Sequence, residues 1–263
     1  MRTFPQFGIG APAQFPFDRS VSYRTVVNHP GPSTQILYAD PDYEERRWRL
    51  PLQSLSDLEW QRVEDLFAEV SGRLESFLFL EPGSNCLLWS ENLTDPAWTK
   101  TAIAVTSGQT DPLGGTNASL LSASGPGVLR QTIAAPSDFA YAASCTIRTE
   151  EAGVTLRLTD GAGPEAVSTV SADGVWRRHE VSFRGTPGEE SVDFEIHIPS
   201  GASAEIFGPQ LEGQTSASSY KKTTERAGLF PLTRFDHDHL PDRLSGPGNH
   251  SGEVRLIWTP SLT

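Results

Sequence analysis

The chain has 263 residues, which is enough for one large domain or two ordinary domains with buried cores. Its 33 acidic and 21 basic residues give a formal net charge of −12. This charge argues against nonspecific binding to nucleic acid or to an anionic membrane, because phosphate contacts need clustered Lys and Arg. With 23 Gly, 20 Pro and a hydrophobic content of 37%, the composition favours a mainly β protein with many turns.

The start of the chain and the cysteines add two expectations. The first residues lack the apolar stretch of a signal peptide, and no run of 18 apolar residues is present. We therefore expect folding in a cytoplasm and no membrane insertion. Cys86 and Cys145 both lie in strand-like segments, which indicates two small buried thiols, although the sequence does not settle their disulfide state.

Residues 1–19 are rich in Phe, Pro and Gly. Proline excludes a helix here, and the aromatic content is unlike that of a disordered tail. The pattern predicts an extended arm whose phenylalanines pack on a neighbouring surface, either of their own domain or of another subunit. The candidates for a subunit contact are Phe4, Phe7, Phe15 and Phe17.

Three strands are predicted next, over 21–27, 34–38 and 43–52, with a turn at 29–32 between the first two. Ser56 and Glu59 have the spacing of a capping box, which predicts the start of a helix. Gly72 is expected to end that helix at its C′ position, and a buried strand is expected over 75–81. The helix carries one apolar stripe, formed by Trp60, Val63, Leu66, Phe67 and Val70.

Short motifs lie at both ends of the chain in a definite order. They are Phe4-Pro5, Ala13-Gln14-Phe15-Pro16, Tyr43-Glu44-Glu45-Arg46-Arg47-Trp48, Phe77-Leu78-Phe79-Leu80-Glu81-Pro82, Phe235-Asp236-His237-Asp238-His239-Leu240 and the strand Val254 to Trp258. Together they resemble a family of small bacteriophage tail proteins of the distal-tail type. The chain departs from that family at Phe15, usually Tyr, at Glu45, usually Gln, and at Glu81, usually Asp.

This resemblance implies one split β-β-α-β domain, formed by residues 1–84 and 227–263, with residues 85–226 inserted as a second domain. It further implies a ring at the tail tip of a virion, hexameric or alternatively trimeric. The implied partners are other copies of the chain, the tail tube, and hub or baseplate proteins.

The inserted stretch alternates apolar and polar residues, as in 154–159 and 192–198. A period of two, interrupted by Gly-containing turns, predicts antiparallel strands with one buried face, and hence a sandwich. The alternation therefore predicts a mainly β (α+β) fold with an inserted antiparallel sandwich, and the resemblance described next implies that this sandwich is a jelly roll.

Several motifs of the insert resemble jelly-roll modules such as carbohydrate-binding modules. They are Asn85 to Leu93, Ala97-Trp98-Thr99-Lys100, Trp176-Arg177-Arg178, Phe207 to Gly213 and Thr215 to Tyr220. Such modules stack a sugar ring on an aromatic side chain and fix its hydroxyl groups with polar ones. The stacking candidates are Trp98, Tyr141, Trp176 and Tyr220, and the polar candidates are Arg130, Gln131, Arg157, Glu195 and His197.

Each of these candidates also has a structural explanation. Packing of the sandwich accounts for Trp98 and Trp176, and a solvated sheet face accounts for the polar residues.

Catalytic and metal-binding patterns are missing from the sequence. The segment 236–239 alternates Asp and His, so its histidines would point to one face of a strand and its aspartates to the other. Four ligands from one short strand do not converge, so we expect no metal site. No nucleophile or phosphate-loop motif is present, and we expect no catalytic residues, no cofactor and no enzyme activity.

We therefore expect a structural protein of a phage tail tip whose jelly-roll domain binds host surface polysaccharide. The alternatives are a free carbohydrate-binding protein or an accessory module of a glycan-active enzyme. A third hypothesis is an enzyme, such as a glycan esterase or lyase.

Overall fold

A computed structural model describes residues 1–260, apart from the side chains of Pro41 and Asp42. Over this range the chain forms fourteen strands and one helix. No helix among these residues has the length and apolar character needed to cross a membrane. The elements are β1 (Asp18–Gly31), β2 (Thr34–Leu55), α1 (Asp57–Glu69), β3 (Phe77–Leu80), β4 (Thr99–Gln109), β5 (Ala118–Ile133), β6 (Tyr141–Arg148), β7 (Thr155–Thr159), β8 (Glu165–Thr169), β9 (Arg177–Phe183), β10 (Val192–Ile198), β11 (Ser203–Glu212), β12 (Leu229–Phe235), β13 (Arg243–Gly246) and β14 (Asn249–Trp258).

The chain divides into two compact units. The terminal unit contains Arg2–Phe7, Ala13–Phe79 and the chain from Phe230 onward, and the sandwich unit contains Met1, Gly8–Pro12 and Leu80–Leu229. This grouping places Gly8–Pro12 and the residues from Leu80 to Ser84 with the sandwich, whereas the sequence placed them with the first domain. That residues 85–226 form a removable insertion stays a prediction.

The terminal unit is built on one six-stranded sheet. Its strand order is β1-β2-β14-β12-β3, with β13 paired to β14. Antiparallel pairing of β14 with β2 sets Leu256 opposite Trp48 and Val254 opposite Leu50. Strands from both ends of the chain thus belong to the same sheet.

Helix α1 covers this sheet and follows its sequence signals. Ser56 and Glu59 form the expected capping box, in which the Ser56 N–H donates to Glu59 Oε2 at 2.9 Å. The predicted apolar stripe is buried except for Phe67, which is partly buried against the same core. The predicted end is off by one residue: Ser71 already has a left-handed φ of 53°, and Gly72 follows at 65°.

The sequence divided β2 into two strands. In the structure β2 runs unbroken from Thr34 to Leu55, and β1 continues to Gly31. The pairing of β1 with β2 shifts in register between Tyr23 and Thr25. A bulge of this kind lets a long strand bend without ending. The residues around 39–42 therefore have the sequence pattern of a break, although the strand continues through them.

The N-terminal arm packs largely on its own chain. Phe4 and Phe7 are buried, and the Phe4 ring lies 5.7 Å from Phe79 and 6.5 Å from Phe235. These two side chains are therefore core residues, which corrects the expectation of a subunit contact. Phe17 packs partly against the same core, and Phe15 is 68% exposed.

Residues 236–239 bind other protein groups. The Arg47 guanidinium donates to Asp236, and Arg73 N–H donates to Asp238 Oδ1 at 3.1 Å. His237 Nε2 accepts a hydrogen bond from Arg255 N–H at 3.2 Å. These hydrogen bonds connect the segment after β12 to β2, to β14 and to the turn after α1. The segment therefore has a structural role.

The sandwich unit has the strand order β8-β7-β10-β5-β11-β6-β9, with β4 also paired to β5. The first half of β5 pairs with β11, from Ser119 to Ser122, and the second half pairs with β10, from Gly127 to Ile133. Strand β5 therefore serves both layers, and β7 and β8 face β9 across the interior. The prediction of a mainly β protein with an antiparallel jelly-roll sandwich is confirmed.

The ends of the sandwich unit meet at a pair of backbone hydrogen bonds. Glu81 N–H donates to Gly228 O at 2.8 Å, and Gly228 N–H donates to Asn85 O at 2.7 Å. The long segment of this unit, Leu80–Leu229, thus begins and ends at one place. Cys86 and Cys145 are buried free thiols, as the sequence indicated.

A first prediction concerns the insertion. Replacing residues 85–226 with a short Gly-Ser bridge should leave a cooperatively folding remnant, because the sheet of the terminal unit is built from strands outside this range. Circular dichroism and urea unfolding of the remnant test this. A remnant without a cooperative transition would contradict the insertion.

A second prediction concerns His250 in the terminal unit. Its ring stacks on Trp60, and its nitrogens lie 2.8 Å from Asp57 Oδ1 and 2.9 Å from Asp242 Oδ2. Hydrogen bonds to Asp57 and then to Asp242 raise the pKa of His250 above its usual value. A raised pKa adds stability that is complete below the unfolded-state pKa and is lost as pH rises through the folded-state pKa.

We therefore expect the urea midpoint of the terminal unit to fall as pH rises above the unfolded-state pKa of ~6.5. His250→Gln should flatten this dependence. An NMR titration that places the His250 pKa at or below ~6.5 would contradict the assignment.

Candidate functional site

The outer side of the layer formed by β8, β7, β10 and β5 carries a group of charged side chains. Along β10, Val192, Phe194, Ile196 and Ile198 point into the core. The alternate residues Asp193, Glu195 and His197 therefore occupy the outer side. Register then places Arg130 of β5 and Arg157 of β7 on either side of Glu195. We call Arg130, Arg157, Asp193, Glu195 and His197 the charged face.

Glu195 lies at the centre of the charged face. Its side chain is only 5% exposed, whereas those of Arg130, Arg157 and His197 are 32–44% exposed. Glu195 Oε1 lies 2.9 Å from Arg130 Nε, and Oε2 lies 2.7 Å from His197 Nε2. Arg157 Nε is 3.5 Å from Oε2, and its other end binds Glu165 at 2.8 Å.

The environment of Glu195 keeps it ionised. Burial by itself would raise its pKa, but the hydrogen bond with His197 and the charges of His197, Arg130 and Arg157 outweigh burial. The pKa of Glu195 therefore lies below its usual value. The charged carboxylate thus attracts three partners, His197 through a hydrogen bond and Arg130 and Arg157 through charge.

Hydroxyl groups and carboxylates surround these cations. Thr99 pairs with Arg130, and Thr155 pairs with His197. The Thr132 hydroxyl donates to Asp193. The face thus offers donors and acceptors side by side, with positive and negative charges nearly balanced.

A depression lies on the other layer of the sandwich. Its volume is about 400 Å³, and it lies beside Arg148, whose guanidinium binds Glu205 and lies 4.9 Å from the centre of the Trp176 ring. Arg148 therefore occupies one side of the half-buried Trp176 ring, which limits stacking of a sugar there. The lining residues are Leu120, Arg148, Thr149, Glu150, Glu151, Gly174, Ser203, Ala204 and Glu205.

Two of the predicted stacking residues are core residues. Trp98 is 2% exposed, packs edge-on against Phe194 at 5.9 Å, and donates its indole N–H to Trp89 O at 3.2 Å. Tyr141 is fully buried, and its hydroxyl donates to Pro136 O at 2.7 Å. Neither ring offers a face to a ligand, which corrects the expectation of a glycan contact at both.

Two further candidates stabilise the fold. Tyr220 packs on Phe207 at 5.3 Å, with its hydroxyl 2.8 Å from that of Ser90. The Gln131 side chain is buried and both accepts from and donates to the backbone of Leu88. The structure brings Arg130, Arg157, Glu195 and His197 together and places Trp176 on the other layer.

Sequence reasoning missed the roles of Glu165 and Arg148. Glu165 lies on β8, where the register with β7 puts it next to the charged face, and the sequence gave no sign of that register. Arg148 is the last residue of β6, and its sequence context gave no sign that it lies over the Trp176 ring.

No family model and no curated protein matches this sequence. Among solved structures, the enzymatically active domain of tailspike protein 4 from bacteriophage CBA120 is similar over 51% of this chain, at 13% identity and a TM-score of 0.41. The chain covers only 22% of that protein.

Two carbohydrate-binding modules are also similar. TmCBM61, solved with β-1,4-galactotriose, matches over 48% of this chain and 97% of its own length, at 19% identity and a TM-score of 0.37. The CBM22-1 xylan-binding domain of Paenibacillus barcinonensis Xyn10C matches over 52% and 99%, at 14% identity and a TM-score of 0.37. Similarity at this level concerns the shape of the chain and says nothing about a shared ligand.

A third prediction tests the charged face as a unit. Glu195→Gln removes the common partner of three groups, and we expect it to lower the free energy of unfolding by about 2 kcal/mol, since the partners are partly exposed. Glu180→Gln on β9, whose partner Arg178 lies 3.6 Å away at the surface, serves as control and should cost less than about 0.5 kcal/mol. Urea unfolding measures both, and equal effects would contradict the central role of Glu195.

Proposed function

We propose that the sandwich unit binds a saccharide on its charged face. The observation that carries this proposal is the buried Glu195 carboxylate, which holds Arg130, Arg157 and His197 in fixed positions at the surface. Side chains already held in place lose little conformational entropy when a ligand binds. Such an arrangement suits recognition better than a freely solvated row of charges does.

The mixed polarity of the face favours a neutral polyhydroxyl ligand. Each sugar hydroxyl both donates and accepts a hydrogen bond, and the face supplies N–H donors next to the carboxylates of Asp193 and Glu165. A strongly anionic polymer would meet those carboxylates. The apolar contribution comes from Val128 and Val167, which pair with His197 and Arg157, so we expect modest affinity at each site.

Binding without turnover is part of this proposal. A carboxylic acid that donates a proton in glycoside hydrolysis needs a raised pKa, whereas the pKa of Glu195 is lowered. Burial raises the pKa of the Cys86 thiol to about 12, which keeps it protonated and a poor nucleophile. New reducing ends or released acetate from a polysaccharide that survive repurification, and disappear with His197→Ala, would reverse this part.

A fourth prediction tests the site. Arg157→Gln should weaken binding at least tenfold, because it removes a fixed cation from the face, while Arg184→Gln at an exposed position of the same unit should leave binding unchanged. A glycan array followed by titration calorimetry measures the effect, with thermal melting to show that both variants fold. Absence of saccharide binding by the parent protein, or equal affinity of the two variants, would refute the proposal.

We further propose that the chain is a tail-tip component of a phage, with the sandwich unit as its host-binding part. This role rests on the order of the sequence motifs. It is supported by the observation that motif residues from both ends, including Phe4, Trp48, Phe79, Phe235 and Trp258, share one core. Electron microscopy of the purified particle tests it: a sixfold or threefold ring supports the role, and a monomer that binds polysaccharide favours a free carbohydrate-binding protein.

A further inference from the structure

The six-stranded sheet of the terminal unit has an outer face, on the side away from the aromatic core. Along β14, Leu256 and Trp258 are buried in that core, so Ile257 and Thr259 lie on the outer face. Pairing of β12 with β14 sets Arg234 opposite Ile257, and Arg234 is exposed. The outer face therefore brings an arginine of β12 beside apolar and hydroxyl side chains at the end of β14.

A depression of about 500 Å³ opens on this face where β12 meets the end of β14. Its volume lies within the ~300–1,000 Å³ that small-molecule sites usually have. We call it the arginine depression, and its lining includes Arg73, Leu232, Arg234, Ile257, Thr259 and Pro260. Two cationic side chains thus share a concave surface with aliphatic ones.

Arg234 differs from the other arginines of the outer face in having no acidic partner. Arg255 Nε lies 2.7 Å from Glu253 Oε1, and the Arg47 guanidinium donates to Asp236. Among the side chains that the structure describes in residues 1–260, no carboxylate forms a salt bridge with Arg234. Its guanidinium is therefore free to bind an anion without breaking an existing ion pair.

Arg73, in the turn after α1, brings a second guanidinium to the depression. Its Nη2 lies 4.0 Å from Asp236 Oδ1, and Asp236 is already bound by Arg47. Arg47 in turn holds Glu45 at 2.7 Å. Three arginines thus stand against two carboxylates around the depression, Arg234 being the third. This leaves a local surplus of one positive charge, although the whole chain has a net charge of −12.

Leu232 has an unusual backbone conformation at the edge of the depression. Its φ is 66°, a value that a bulky residue rarely adopts. The side chain is also 46% exposed, so burial in the core does not compensate the strain. Residues held in such conformations cluster at ligand-binding places. Here the conformation keeps an apolar side chain beside Arg234.

We propose that the arginine depression binds a monocarboxylate that carries a compact apolar group. The two oxygens of a carboxylate match the donors of a guanidinium in a bidentate pair, and the Thr259 hydroxyl is a further donor. Leu232, Ile257 and Pro260 contact the apolar group. One surplus positive charge suits one negative charge, and Asp236 repels a second. The site lies in the terminal unit and does not depend on saccharide binding by the sandwich unit.

Ligand-observed fluorine NMR with para-fluorobenzoate tests the proposal. This probe has one carboxylate on a compact apolar ring, and its signal should broaden and saturate with a Kd of ~1 mM or below. Its uncharged analogue para-fluorobenzamide should bind at least tenfold more weakly, because it brings no negative charge to Arg234. Inorganic phosphate at the same concentration should not displace the benzoate.

Variants of the full chain locate the binding. Arg234→Gln should weaken benzoate binding at least tenfold, whereas Arg62→Gln, at an exposed position of α1, is the matched control and should bind like the parent. Leu232→Asn keeps a residue that tolerates a positive φ but removes the apolar contact, so it should also weaken binding. Arg157→Gln on the charged face should leave benzoate binding unchanged. Thermal melting shows that each variant is folded.

Three results would overturn the inference. They are a parent chain that does not bind the benzoate, an Arg234→Gln variant that binds it like the parent, and benzamide or phosphate binding as tightly as the benzoate. The first two would remove the site from the arginine depression, and the third would rule out a monocarboxylate as its ligand. Loss of saccharide binding with intact benzoate binding would affect the charged face alone.

Discussion

The pairing of β2 with β14 is the constraint on which the terminal unit depends. It joins residues ~200 positions apart and sets Trp48 beside Leu256 in the core. Helix α1, the N-terminal arm and β12 all pack against the surface that this pairing creates. Contacts of such long sequence separation form late and slowly, so the aromatic core of this unit assembles only after the last strand is available.

The sandwich unit depends on a different interaction, the compensation of a buried carboxylate by cations. A charged carboxylate is costly to bury unless cations and hydrogen bonds compensate it. Around Glu195 three partners do so from two neighbouring strands and from β10 itself. The same contacts that stabilise the carboxylate position its partners at the surface, so stability of the layer and the geometry of the proposed saccharide site depend on the same residues.

Local signals in the sequence predicted local structure well. The capping box and apolar stripe located α1, and strict alternation located β10 from Val192 to Ile198. Alternation identifies the two faces of a strand, but it does not show which part of the chain packs against each face. The sequence therefore offers Trp98 and Tyr141 as stacking candidates, with packing as the alternative for Trp98, and the structure places both in the core. Conversely, the valines and tyrosines of β1 and of the first part of β2 have the pattern of a buried strand, yet they are exposed. The layer that a strand joins and its register with its partner strand depend on residues far away in the sequence. The periodicity of one segment carries no information about those residues.

The hydrogen bonds of Gly228 with Glu81 and Asn85 have an evolutionary consequence. When the two ends of a segment meet, inserting that segment costs the surrounding domain little loop-closure entropy. This entropic cost grows only with the logarithm of the segment's length, so it stays small even for a long segment. If residues 85–226 are an insertion, as predicted, recombination at this point would exchange them as a whole and leave the six-stranded sheet unbroken. Related genes should then differ most abruptly here, with unrelated cassettes, or none, spliced between the same two flanking strands.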